Sequence, residues 1–246
     1  LEAIKRVVDA CGRVFYVVGC FDQDPFSLAA ARVGLDNLMM NMRRDTPFVE
    51  AVMNCALEYA LAYGRAMASA GADMLSGGDS PAGLVGPSAY GQFAWPFEKR
   101  LISALQAQTG KPVSLHICGK AGPLLSQMAQ TGANVLELDY PVNLDEACRV
   151  LGPKIAIWGN LDPVSMLAQG TPEEVYAAAR AAIQTAATAG HRRFVLSSGC
   201  GLAMGTPGAN LAAMMKAAYD LAALSNGLAS TDNEASRDNG NHADSQ

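Results

Sequence analysis

His116 and Cys118 stand two residues apart in an apolar run that ends at Gly119 and reads as the end of a β-strand. Side chains at i and i+2 leave a strand on the same side, so an imidazole and a thiol can reach one centre. Cys200 ends another such run, between Gly199 and Gly201. If both runs belong to one barrel, the three side chains converge over its C-terminal mouth. One imidazole and two thiolates are good zinc ligands. Three protein ligands leave one tetrahedral position open, which is the layout of a catalytic zinc site rather than a closed structural one. Spacing alone leaves a second reading open, a hydrogen-bonded histidine beside two buried thiols. The neighbouring glycines permit close backbone approach at both strand ends.

Other polar residues follow strand ends. Asp79, on the Gly/Pro loop 77–81, either caps the next turn or orients a substrate. Glu137 and Asp139 are two apart and face one side, so one of them can line the mouth as a fourth ligand or support a ligand from behind. Asn160 and Asp162 are candidates for the substrate side of the mouth, or else a helix cap and a loop brace. His191, ahead of Arg192 and Arg193, reads as a surface residue. Cys55 and Cys148 read as small buried helix residues. The chain has six cysteines and no export pattern at Leu1–Arg6, so reduced thiols are expected rather than three disulfides.

The elements that must position these groups alternate. Short runs read as strands at 14–20, 72–78, 113–118, 135–139, 155–159 and 194–198. They lack clean polar alternation, which suits strands buried on both faces, as in parallel sheets. Between them lie Ala-rich helical stretches. Thr46-Pro47 opens one that runs through Met67 and stops at Gly71. Thr171-Pro172-Glu173-Glu174 opens another, with a Thr cap, a first-turn Pro and two acids on the positive end of the dipole. Pro207 and Asn210 open a last helix through about Leu224, and residues 22–38 read as a loop followed by a short helix. Strand and helix in alternation mean a parallel sheet with right-handed crossovers. No Gly-x-Gly-x-x-Gly follows the first strand, which counts against a dinucleotide-binding open sheet. Reactive residues at many strand ends are what a (β/α)8 barrel delivers on its C-terminal face.

The 246 residues are 50% apolar and 17% charged, with a net charge of −5. That balance argues against a nucleic-acid or anionic-membrane surface. No apolar run reaches the roughly 18–20 residues of a membrane helix, so a soluble, cytoplasmic protein is expected. From Ser225 the sequence turns polar, and residues 225–246 read as a disordered tail behind a barrel domain at 1–224.

Taken as an ordered series, the motifs resemble the uroporphyrinogen decarboxylase superfamily over roughly residues 12–222. Asp24-Pro25-Phe26-Ser27-Leu28 resembles its Gly-Pro-Phe-Thr-Leu motif, with Asp24 in place of the Gly. Gly159-Asn160-Leu161-Asp162-Pro163, the helix start at Gly170-Thr171 and Gly205-Thr206-Pro207 complete the series. Within the superfamily the chain is most similar to the corrinoid-dependent methyltransferases. Their His-x-Cys and distant Cys zinc ligands correspond to His116, Cys118 and Cys200, whereas true decarboxylases carry a His where Cys200 stands.

The resemblance implies a (β/α)8 barrel of the uroporphyrinogen decarboxylase type. It implies a zinc cofactor and transfer of a methyl group between a methyl-corrinoid on a separate carrier protein and a small thiol such as coenzyme M. The alternatives are a tetrapyrrole decarboxylase and a non-catalytic corrinoid- or metal-binding protein. Six strand–helix units are legible where a closed barrel has eight, with Leu1–Arg13 reading as a helix that leads into the first strand. The expectation is therefore a barrel lacking its first two strands, with two unpaired sheet edges and poor folding when expressed alone.

Overall fold

A computed structural model describes residues 1–21 and 23–222. The expected polar tail at 225–246 lies outside the described residues. Six strands form one sheet: β1 (Val18–Cys20), β2 (Met74–Gly78), β3 (Val113–Ile117), β4 (Val135–Leu138), β5 (Ala156–Leu161) and β6 (Phe194–Ser198). All neighbouring pairs are parallel, and the strands lie in sequence order. A doubly wound sheet reverses its strand order at a switch point. This sheet never reverses, so it is wound in one direction as a barrel is. Among the described residues β1 pairs only with β2 and β6 only with β5.

Helices alternate with the strands. A helix α1 (Glu2–Cys11) precedes β1. Three helices, α2 (Pro25–Val33), α3 (Leu35–Arg44) and α4 (Thr46–Ser69), link β1 to β2. Between β2 and β3 come a 3-10 turn at Ser80–Leu84, the short α5 (Gly86–Ala89) and α6 (Trp95–Thr109). The short α7 (Leu125–Met128), α8 (Leu144–Leu151) and α9 (Pro172–Thr188) follow the next three strands, and residues 208–222 are helical.

Residue parity sorts the two faces of the sheet. Leu75, Leu115, Leu136 and Ile157 are fully buried on the outer face. They share one apolar cluster with Val49, Met53 and Leu57 of α4 and Leu101, Ile102 and Leu105 of α6. The inner face carries Ser76, Ser114, His116, Glu137 and Trp158. A TIM barrel normally packs its interior with bulky aliphatic residues. A polar inner face instead leaves room for a site.

Local expectations fare unevenly. The Thr171 helix start is a complete capping box, with the Thr171 hydroxyl accepting from the Glu174 N–H and the Glu174 carboxylate accepting from the Thr171 N–H. The cap of α4 is Asp45, one residue before the expected Thr46, and its carboxylate accepts the Phe48 N–H at 3.0 Å. The first strand is shorter than the 14–20 run. The α1 terminus turns back through Val14 and Phe15 N–H bonds to the Cys11 carbonyl, which leaves Val14, Phe15 and Tyr16 exposed. Residues 22–38 hold two helices rather than one, and α6 was not among the expected elements. Cys55 is exposed, because the buried face of α4 runs through Met53, Ala56, Leu57 and Ala60 and Cys55 points away from it. Cys148 is buried as expected. His191 is buried rather than on the surface, with 3% of it exposed, at the point where its backbone N–H closes the end of α9 on the Ala186 carbonyl. No helix among the described residues is long and apolar enough to cross a membrane.

Candidate metal centre

The cluster forms where β3 and β6 end. In a flat sheet, strands three places apart would lie roughly 14 Å apart. Here the Cys118 and Cys200 sulfurs are 3.5 Å apart, so the sheet curls. The His116 Nε2 lies 2.9 Å from the Cys118 Sγ. The three candidate ligand atoms all fall within 4.8 Å of one another, and each side chain is partly open. They face a cavity of about 530 Å³ that Cys20, Ser76, Glu137 and Trp158 also line.

The imidazole is held in a defined tautomer. Its Nδ1 lies 2.9 Å from the Glu137 carbonyl oxygen, which can only accept. Nδ1 therefore carries the proton, and the Nε2 lone pair points at the thiols. Histidine metal ligands are commonly oriented by such a bond from the other ring nitrogen. Register explains how it forms, since His116 sits beside Glu137 on β4 and beside Gly78, which has no side chain to crowd the ring, on β2. The Glu137 carboxylate accepts from the hydroxyls of Ser76 at 2.8 Å and Ser114 at 2.6 Å.

Asp139 braces both cysteine-bearing loops. Its Oδ2 accepts the Gly119 N–H, the next residue after Cys118, at 2.6 Å. Its Oδ1 accepts the Tyr140 N–H at 2.7 Å. Gly199, just before Cys200, packs so closely on Asp139 and the Tyr140 N–H that a Cβ there would collide. Asn160 secures the same loop by donating from Nδ2 to the carbonyls of Asp139 at 3.2 Å and Val142 at 2.7 Å. Asp162 is a loop brace, accepting from Ser165 and from the Val164 N–H.

Asp79 is fully buried on the opposite, outer side of the strand end and does not line the cavity. It makes no side-chain bond to the turn that follows it. Its carboxylate instead caps the start of α2, accepting the Phe26 and Ser27 N–H groups at 3.3 and 2.6 Å. Burial still lifts its pKa to about 6, against the lowering effect of those hydrogen bonds. Glu98 of α6 is buried beside it and is pushed well above the carboxylate range, first by burial and then by the charge of Asp79. The Tyr90 hydroxyl donates to Glu98 at 2.5 Å. Sequence reasoning missed Glu98 because a first-turn glutamate normally reads as a solvated partner of the helix dipole.

Sequence reasoning also left out Ser76, Ser80, Ser114 and Trp158. The period-two pattern that gives His116 from Cys118 also gives Ser114, so that residue was within reach. Ser76 needed the register of β2 on β3, and Ser80 needed the turn.

Comparison with known proteins places these residues in context. A family profile described as uroporphyrinogen decarboxylase (URO-D) matches residues 1–221. The methylcobamide:CoM methyltransferase MtbA of Methanosarcina mazei is 32% identical over 220 residues, covering 89% of this chain and 62% of that protein. A uroporphyrinogen decarboxylase of a Synechococcus species is 33% identical over 174 residues, covering 70% of this chain and 48% of that protein. A solved methyltransferase from Methanosarcina mazei superposes with a TM-score of 0.82 at 27% identity, covering 89% of this chain and 63% of that one. The chain thus spans about 62% of the length of the first of these relatives.

Proposed function

The chain belongs to the uroporphyrinogen decarboxylase family, and from that premise we propose that it acts as a zinc-dependent methyltransferase between a methyl-corrinoid and a small thiol such as coenzyme M. The corrinoid arrives on a partner protein, and the reaction belongs to the cytoplasm. The observation that carries the proposal is the convergence of the His116 Nε2, Cys118 Sγ and Cys200 Sγ on one point of the inner face. The donor set fits zinc, with one neutral imidazole nitrogen and two sulfurs and room for a fourth ligand on the cavity side. Relatives named methylcobamide:CoM methyltransferase support the reaction class.

His116, Cys118 and Cys200 would hold the ion. A zinc ion there supplies the positive charge that keeps an acceptor thiol deprotonated near neutral pH. The protein's own part is positional. The Glu137 carbonyl fixes the His116 ring, and Asp139 holds the two cysteine loops together. The cavity between Cys20 and Trp158 admits the acceptor from one side. In the transfer, the acceptor sulfur forms a bond to the methyl carbon as the cobalt–carbon bond breaks. The electron pair of that bond stays on cobalt, which leaves as cobalt(I).

A second reading, decarboxylation of a tetrapyrrole, is favoured by the relatives of that name. One assay separates the two. Incubated with methylcobalamin and coenzyme M, the protein is expected to generate cob(I)alamin, followed by its visible absorbance. Release of carbon dioxide from uroporphyrinogen, with no cob(I)alamin from any thiol, would overturn the methyltransferase reading.

A further inference from the structure

The two cysteines of the cluster are not equivalent. Ser80 lies at the first position of the turn after β2, and its hydroxyl donates to the Cys118 sulfur at 3.1 Å. The hydrogen bonds found at Cys200 include no such hydroxyl. We propose that Ser80 is a positioning residue of the metal centre, whose hydrogen bond makes Cys118 the weaker and Cys200 the stronger sulfur donor. The proposal rests on the reading of His116, Cys118 and Cys200 as metal ligands.

The bond is built into the fold. The Asp79 N–H donates to the His116 carbonyl at 2.8 Å, which joins the start of the turn to the end of β3. Further along the same turn, Gly83 packs on the Cys118 carbonyl and Ile117, and a Cβ there would approach both to 3.0 Å. Asp79 itself is anchored from behind by its two bonds to α2. The turn is therefore clamped on both sides of Ser80, and the hydroxyl is delivered to the sulfur by packed backbone. Parity agrees, since Ser80 follows Ser76 and Gly78 on the inner side and Asp79 follows Leu75 and Gly77 on the outer side.

A hydroxyl donating into a sulfur lone pair reduces the electron density that sulfur gives a metal. Hydrogen bonds to ligating sulfurs tune metal centres in this way. A cation bound by one weakened and one ordinary thiolate keeps more of its charge for the ligand in the fourth position, where the acceptor sulfur would sit.

Cobalt(II) is the probe, because its thiolate charge-transfer absorption reports sulfur donor strength directly. The full chain and its Ser80→Thr and Ser80→Val variants are titrated with cobalt(II) alone. Thr and Val match in shape, but only Thr can donate. Ser80→Thr is expected to keep the parental band position. Ser80→Val is expected to move the band to lower energy, because Cys118 without the hydroxyl becomes the stronger donor. Coincident bands in Thr and Val variants that melt alike would overturn the role of Ser80 and leave the metal centre standing. A parent chain with no thiolate-to-cobalt band would overturn the metal centre itself, and Ser80's role with it.

Discussion

At the scale of single residues, the metal centre depends on what holds three donor atoms within 4.8 Å. Asp139 is the residue that touches both cysteine loops, through the Gly119 N–H and the close approach of Gly199. Truncating it to Ala removes the acceptor for Gly119 and frees the Cys118 loop. Supporting residues of this kind typically change metal affinity 10–100-fold. Asp139→Ala is expected to weaken zinc binding at least about tenfold in competition with a chromophoric chelator, while Asp139→Asn retains part of it. Unchanged affinity in the Ala variant would mean that the loops hold without it. The pairing of His116 with Cys118 was legible from the strand period, whereas joining Cys200 to them, 82 residues on, rested on the barrel reading and on the resemblance to the methyltransferases. Asp79 was legible as important but not in its role. Its partners Phe26 and Ser27 are more than fifty residues away, and only the packing of α2 on the β2 end brings them together.

At the scale of elements, caps and turns read well where the signal is local. Thr171 to Glu174 contains its whole capping box within four residues. β1 read poorly, because an apolar run does not reveal how much of itself will find a partner. Only Val18–Cys20 pairs with β2, and Val14, Phe15 and Tyr16 of the same run stay exposed. The junction of α2, β2 and α6 buries the carboxyls of Asp79 and Glu98 together, with consequences for pH. Asp79 titrates at about 6 in the folded chain, above its ordinary 3.8. Between those values the folded chain holds a proton that the unfolded chain has lost, so stability falls as pH rises through the window. Glu98 is raised as well and acts in the same direction. Glu98→Gln removes one of the two charges. The decline in urea midpoint over pH about 4 to 6 is expected to be shallower in this variant than in the parent. Parallel slopes would show that the carboxyl pair does not govern that dependence.

At the scale of the molecule, six parallel strands in sequence order were legible from the alternation of short apolar runs with capped helices. The choice of barrel winding over a doubly wound sheet rested on reactive residues clustering at strand ends, and the unreversed strand order agrees with it. The polarity of the inner face was not legible. It follows from register across three strands, which places Ser76, Ser114, Glu137 and His116 side by side. That face turns a curled sheet into a cavity with a cluster of thiols and imidazole at its rim. Whether this cluster holds a zinc ion is decided by the metal content of the purified protein. Prepared under reducing, chelator-free conditions, the protein is expected to carry about one zinc per chain, lost in Cys118→Ala and in Cys200→Ala variants that still fold. A folded parent protein without zinc, or variants that retain it in full, would rule out a zinc ion on these three residues.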